Sequence, residues 1–234
     1  MIKKIINPGR KQAIIKAAKA LKLTYMQALE CLAEQNAQKN NWYQTESADY
    51  DSDWFCIQTV SDYFDFSYQA VMDIMVLIHQ NGLSITTAVD LGAGSGLSTQ
   101  ALSSCIKYIS YNNISKRQIK MAKALGLTQS IIAKSAVDIV SRFDAMIALE
   151  FFEHFRNPLQ TFKEIVAKIR PKYIFMQNSF GAFGYGHYNE YLINFHPISK
   201  KIAGVVFCDA VEALGYKIQK SNRVILCTKI NSEE

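Results

Sequence analysis

The 234-residue sequence is short of the features that mark specialised classes. With 4 prolines and 11 glycines it is neither fibrous nor low in complexity. No stretch approaches the roughly 18 apolar residues that cross a membrane; the most apolar one, residues 70–78, is interrupted by Asp73. Its five cysteines (Cys31, Cys56, Cys105, Cys208 and Cys227) form no CxxC pair and no even disulfide framework. They are expected as reduced thiols of a cytoplasmic protein, and without clustered ligands no metal site is expected. Residues 1–10 carry lysines but no apolar core behind them, so a secretory signal is not expected either.

Hydrophobic residues make up 49% and charged residues 20%, enough for one α/β domain with a short appendage. The net charge of +6 is unevenly spread: residues 1–40 hold eight Lys/Arg against two Glu, while residues 41–66 hold six acids and no base. The basic segment reads either as a solvated helical face or as a contact for nucleic acid. Two helices are expected within 10–38. Ile14, Ala17, Ala18 and Leu21 share one face, and Thr24 with Gln27 forms a capping-box pattern before a second amphipathic run. Residues 40–66 are aromatic and acidic without a sustained period and read as a linker or lid, with Trp42, Tyr43, Trp54, Phe55 and Tyr63 available to close a crevice. Residues 1–66 are therefore set apart from a main domain at 67–234, which opens with a helix over about 68–79.

From residue 85 the pattern changes. Strand-like runs at 85–91, 107–112, 130–133, 143–149, 173–177, 217–220 and 223–228 alternate with helical runs at 97–105, 115–125, 159–169 and 198–214. The alternation predicts βαβ units and a mostly parallel seven-stranded sheet. Only Ser221 and Asn222 separate the last two strands, which predicts an antiparallel hairpin at one edge.

The most informative string is Ala88-Val89-Asp90-Leu91-Gly92-Ala93-Gly94-Ser95-Gly96-Leu97-Ser98-Thr99. It ends the first parallel strand and opens a helix, where open α/β sheets bind nucleotides. Bare glycine lets a chain turn sharply and lets a ligand approach it. A dinucleotide fingerprint needs its third glycine at position 97, occupied by Leu97, and no Gly-Lys-Ser/Thr follows for a P-loop.

This string resembles the first motif of the class I S-adenosylmethionine-dependent methyltransferases, a likeness that extends over about residues 68–234. Asn113-Ile114-Ser115, Lys134-Ser135-Ala136-Val137-Asp138 and the strand Phe143 to Leu149 with its Glu150-Phe151-Phe152-Glu153-His154 end resemble the family's later motifs. The resemblance implies a Rossmann-like fold and S-adenosylmethionine as cofactor. It implies cofactor contacts at Asp90, Gly92, Ala93, Gly94, Gly96, Asn113, Ser135, Ala136, Leu149 and Glu150. Two positions depart from the family pattern: Asn113 and Ser135 stand where carboxylates accept the ribose hydroxyls and the adenine amino group. Neutral acceptors make bonds about half as strong as charge-assisted ones. Weaker cofactor binding is expected unless Asp138 or a lid acid compensates. Arg170-Pro171-Lys172 replaces a common Pro-Gly-Gly turn.

Methyl transfer from a sulfonium needs orientation and exclusion of water more than an indispensable side chain. If a base is needed, His154 fits, its ordinary pKa of about 6.5 suiting proton removal near neutrality; a structural histidine fits as well. Glu150 either bonds the cofactor or orients His154, and Glu153 is expected to face solvent. Residues 178–191 hold three glycines and five aromatics and read as a pocket wall. Tyr185, His187, Tyr188 and Tyr191 are the acceptor-side candidates, with His187 also a candidate base, although packing of these rings is an equal alternative. His79 and His196 read as structural. The expected acceptor is a small molecule. The alternatives are RNA, reached through residues 1–40, and a non-catalytic binding module. The Leu149-Glu150-Phe151-Phe152 sequence lacks the groups that grip a flipped DNA base.

Overall fold

The computed structural model describes residues 8–38, 50–182 and 187–230. Trp42, Tyr43 and Tyr185 lie outside the described residues. Seven strands form the main sheet: β1 (Thr87–Asp90), β2 (Tyr108–Asn112), β3 (Ser130–Ile132), β4 (Ala145–Leu149), β5 (Tyr173–Gln177), β8 (Tyr216–Lys220) and β9 (Ile225–Lys229), in the order β3-β2-β1-β4-β5-β9-β8. The first five pair in parallel, and β9 runs antiparallel to both β5 and β8. This is the Rossmann-like class I arrangement with its antiparallel edge. Central strands β4 and β5 are buried along nearly their whole length, as parallel strands covered on both faces require.

One face is covered by α7 (Pro158–Ile169) and α8 (Lys200–Ala213). Asn157 caps α7 by accepting from the Gln160 N–H, and Pro158 sits where no intrahelical donor is needed. Leu159, Phe162, Ile165 and Ile169 then line the core with Phe152, Phe180 and Phe207. The other face is covered by α4 (Tyr68–Gln80), through Ala70, Val71, Ile74 and Leu77, with α5 (Leu97–Leu102) beside it. Asp73, the acid inside the most apolar stretch, is buried and accepts from the Arg223 backbone N–H at 3.0 Å, tying α4 to the β8–β9 turn. That turn spans four residues rather than two.

The amino-terminal helices α1 (Pro8–Leu21) and α2 (Tyr25–Gln38) form as expected, with the Thr24 and Gln27 capping box made in both directions. The linker reading of the next segment needs correction. α3 (Asp53–Asp62) passes through a π-helical turn (Tyr63–Ser67) directly into α4, so the proposed boundary at 66/67 falls inside a continuous helix. The extra residue of a π turn breaks the 3.6-residue period, which hid the helix from a periodicity reading. α1 and α3 pack on α6 (Lys116–Ala124), burying Ile14, Ala17, Ile57, Val60, Met121 and Leu125 together. Opposite charges hold this assembly: Arg10 pairs with Asp65 at 2.9 Å, and Arg117 with Asp53.

A second correction concerns residues 190–199. They form a separate hairpin, β6 (Glu190–Ile193) and β7 (His196–Ser199), which takes in the end of the expected wall at 190–191 and the expected helix start at 198, and α8 begins only after it. Among the described residues no helix is long and apolar enough to cross a membrane.

Candidate functional site

The strand order reverses between β1 and β4, so a crevice opens at the carboxyl ends of these strands. The glycine loop forms one wall. Gly92, Gly94 and Gly96 all have left-handed backbones, at φ +59, +46 and +74. A Cβ on Gly92 would meet the Phe151 ring at 2.8 Å, and one on Gly94 would meet Thr59 of α3 at 3.2 Å. The loop must therefore be bare at both places. Asp90 lies beneath it, buried, and accepts from Thr99 Oγ1 at 2.6 Å. Burial pushes its pKa up to about 7 despite that bond. The Tyr111 hydroxyl donates to the Gly94 carbonyl at 2.7 Å, and the Ala93 N–H donates to the Asn112 carbonyl at 3.0 Å.

The turn after β2 is closed on itself. Asn113 Nδ2 donates to Gln118 Oε1 at 2.8 Å, and its Oδ1 accepts from the Ser115 N–H at 2.9 Å. Gln118 Nε2 in turn donates to the Tyr50 carbonyl, and Ser115 donates to Asp51. Asn113 thus braces a turn, and the stretch entering α3 brings the carboxylate of Asp51 to it. Asp138 is exposed, and its backbone N–H closes a 3-10 turn on Ser135. Ala136 is buried at the start of that turn, and Ser135 is half-buried beside it.

The turn after β4 differs. Leu149, half-buried, ends the strand, and Glu150 follows in a left-handed conformation at φ +51, uncommon for a residue with a side chain. Its Oε1 accepts from Ser179 Oγ at 2.8 Å. Glu153 is fully buried, which corrects its expected solvent-facing position: the 3-10 turn over Phe152–His154 carries it inward beneath the β5 turn. There its Oε1 accepts from the Ser179 N–H at 2.8 Å. Burial, then the charge of Glu150 and a hydrogen bond possible only to a protonated Glu153, push its pKa well up. The His154 and His187 rings meet edge-on with centroids 5.0 Å apart, and His154 Nδ1 lies 3.4 Å from the Tyr50 hydroxyl. Burial lowers the pKa of His187; the carbonyls of Ala182 and Ser179 oppose the shift and Lys200 adds to it.

Residues 89–176 match the family model described as a methyltransferase domain. That stretch, which runs from β1 to β5, is similar to a methyltransferase domain. A magnesium protoporphyrin IX methyltransferase from Synechocystis, solved with bound S-adenosylmethionine, is 11% identical with a TM-score of 0.55, over 74% of this chain and 84% of its own. The protein in complex with the Haloferax volcanii Trm112 methyltransferase activator is 14% identical with a TM-score of 0.53, over 76% and 95%. The small RNA methyltransferase HEN1 is 15% identical with a TM-score of 0.52, over 72% of this chain and 26% of its own. At such identities the likeness establishes the fold. No curated protein matches the sequence.

Beyond the matched stretch, Tyr191 follows the packing alternative. It sits at an inward position of β6, fully buried against Phe180, and its hydroxyl donates to the Glu153 carbonyl at 3.1 Å. Tyr188 is half-buried against the same core, while His187 does reach the β4 turn. Several site residues were not among those named from the sequence: Tyr50, Asp51, Thr59, Asp62 and Ser179. Asp62 of α3 faces the site, and burial raises its pKa to about 6, helped by Asp65 and Glu150 and opposed by Gln58 and Arg10. No local spacing singles these residues out, because the packing of α3 and the stretch entering it brings most of them in. An open depression of about 430 Å³, lined by Lys163, Arg170, Tyr216 and Lys229 among others, lies at the opposite end of the parallel strands and is not the crevice.

Proposed function

We propose that the domain transfers the methyl group of S-adenosylmethionine to a small molecule held between the β4 turn and α3. The observation that carries this is the bare glycine loop at the switch point, which has neither the dinucleotide nor the P-loop spacing. The residues fit such a cofactor. Gly92, Ala93, Gly94 and Gly96 offer close backbone to its methionine and ribose. Asp51 brings to the β2 turn the carboxylate that position 113 lacks, with Asn113 Oδ1 keeping one lone pair. Ser135 and Ala136 border the adenine side, and Leu149 and Glu150 the reacting end. In this reading α1 to α3 roof the sheet-bearing domain, joined to it without a break by the π turn at 63–67.

The cofactor supplies an activated methyl group. The chain's own part is to orient the acceptor, exclude water and receive a proton. With the cofactor held there, its methyl group would pass to an acceptor lone pair and its sulfur would be left neutral, while the glycine loop and the β4 turn keep the two in line. A proton released by the acceptor passes to His154, whose ring Tyr50 orients, or through it to water. α3, with Thr59 and Asp62, roofs the crevice and favours a small acceptor.

A second reading has one observation behind it. α1 and α6 pack together and expose Lys11, Lys16 and Lys19 beside Lys116, Lys120 and Lys123, a footprint that suits an RNA backbone. Incubation with methyl-labelled cofactor separates the two. Label is expected in a metabolite fraction, and calorimetry should give one S-adenosylhomocysteine per chain. Label in RNA, with retention that falls steeply with salt, favours the second reading. Binding of a nicotinamide dinucleotide in place of either sulfur compound overturns both.

A further inference from the structure

Glu150, Glu153 and His187 each bring a ligand atom to within 4.8 Å of the other two. The glutamates come from the turn after β4 and the histidine from the connection after β5, so two strand ends converge on one point of the crevice. Two of the three keep a buried polar atom unused. Among the described residues, neither Oε2 of fully buried Glu153 nor Nδ1 of His187 has a hydrogen-bond partner. With both glutamates ionised, no hydrogen lies between their carboxylates, and like charges face each other. Glu150 is further held with a left-handed backbone, a strain that persists only where its surroundings enforce it. Buried unpartnered polar atoms and a strained backbone are each unfavourable, and a cation at the meeting point would relieve the first and replace the proton that the two carboxylates otherwise share.

We propose that Glu150, Glu153 and His187 form a divalent-cation site. Metal–oxygen and metal–nitrogen bonds of about 2.0–2.2 Å put the ligand atoms of one ion roughly 3–4.3 Å apart. A pair at the 4.8 Å bound therefore has to close by about 0.5 Å to reach the upper end of that range, which small side-chain rotations supply. Two carboxylates with one imidazole suit Mn²⁺, Fe²⁺ or Zn²⁺ better than Ca²⁺. Three protein ligands leave positions open, the pattern of a catalytic rather than a structural ion. Ser179 steadies both carboxylates through its hydroxyl and its N–H, as ligand-orienting groups do.

One consequence rests on the methyl-transfer reading. An ion with open positions beside the reacting end selects an acceptor that offers a hydroxyl oxygen, since coordination makes that proton easier to lose. The oxygen lone pair bonds the methyl carbon, sulfur keeps the pair of the broken bond, and the hydroxyl proton leaves through His154.

The direct test titrates Mn²⁺ into chelator-treated, cofactor-free full-length protein, following the free-ion resonance signal. One saturable site per chain is expected, with a rise in melting temperature as Mn²⁺ is added. Glu153→Gln and His187→Ala should each weaken uptake at least about tenfold and abolish the thermal rise, while melting cooperatively without metal. S-adenosylhomocysteine binding, measured separately without metal, should stay within about threefold of the parent. No saturable Mn²⁺ uptake by the parent, as two glutamates sharing one proton would give, overturns the site. So does full uptake by both variants. Metal uptake without any binding of the sulfur compound overturns the methyl-transfer reading alone and upholds the ion site.

Discussion

Two neighbouring turns at the carboxyl end of the sheet treat polar groups in opposite ways. After β2, Asn113, Ser115 and Gln118 satisfy one another and the incoming lid residues Tyr50 and Asp51. After β4, Glu150, Glu153 and His187 converge with polar atoms to spare. Both turns are well buried, so exposure does not explain the contrast. The β2 turn is complete within the chain and acts as a brace. The β4 turn is shaped for something the chain does not contain, and stability is given up there for that purpose.

The largest expected effect breaks the brace. Asn113→Leu strands the Ser115 N–H and the Gln118 amide in a buried place and should destabilise by about 2–3 kcal/mol, lowering the melting temperature by roughly 6–10 °C. Unfolding in urea measures this, and a neutral result would remove the distinction between the turns.

A smaller effect belongs to the acids around the crevice. Asp62 rises from its ordinary 3.8 to about 6 and Asp90 to about 7, both chiefly through burial. A folded-state pKa above the unfolded one gives stability that is complete below the unfolded value and lost as pH climbs through the folded value. The cofactor-free protein should therefore lose several degrees of melting temperature between about pH 4 and pH 7, and Asp62→Asn should flatten the lower part of that fall. Calorimetric scans across the range check both, and a parent that becomes steadily more stable over it would contradict the assignment.

The smallest effect sharpens the comparison. Asp51→Asn keeps the brace's shape but removes its charge and should weaken S-adenosylhomocysteine binding about three- to tenfold, in line with a charge-assisted bond to the ribose. Unchanged affinity in calorimetry would leave Asp51 a purely structural cap of α6.

The sheet was legible because its strands are short apolar runs punctuated by glycine and separated by amphipathic helices. The spacing of Gly92, Gly94 and Gly96 singled out the glycine loop that the fold puts at the switch point. The hairpin around Asn194 and Phe195 was hidden by the aromatic richness of its surroundings, and the two readings of Tyr191 stayed level because its position on the strand was unknown. Glu153 and His187 lie 34 positions apart in the chain. Only the parallel pairing of β4 with β5 places them face to face, so no local spacing announces them. Tyr50 and Asp51, which join the Asn113 turn through Gln118 and Ser115, stand just ahead of α3 and more than 60 positions away in the chain. What escaped the sequence was contact made by tertiary packing, and most of the candidate site is of that kind.

That π turn at residues 63–67 has a wider meaning for how the molecule is organised. Each residue of an α-helix advances the side chains by about 100°, so one residue too many rotates the apolar stripe between the two halves of the rod. Cys56, Ile57 and Val60 are thereby aimed at the amino-terminal helices, while Ala70, Val71, Ile74 and Leu77 are aimed at the sheet. A single unbroken rod addresses two cores out of phase, and the roof of the crevice inherits its angle from the floor.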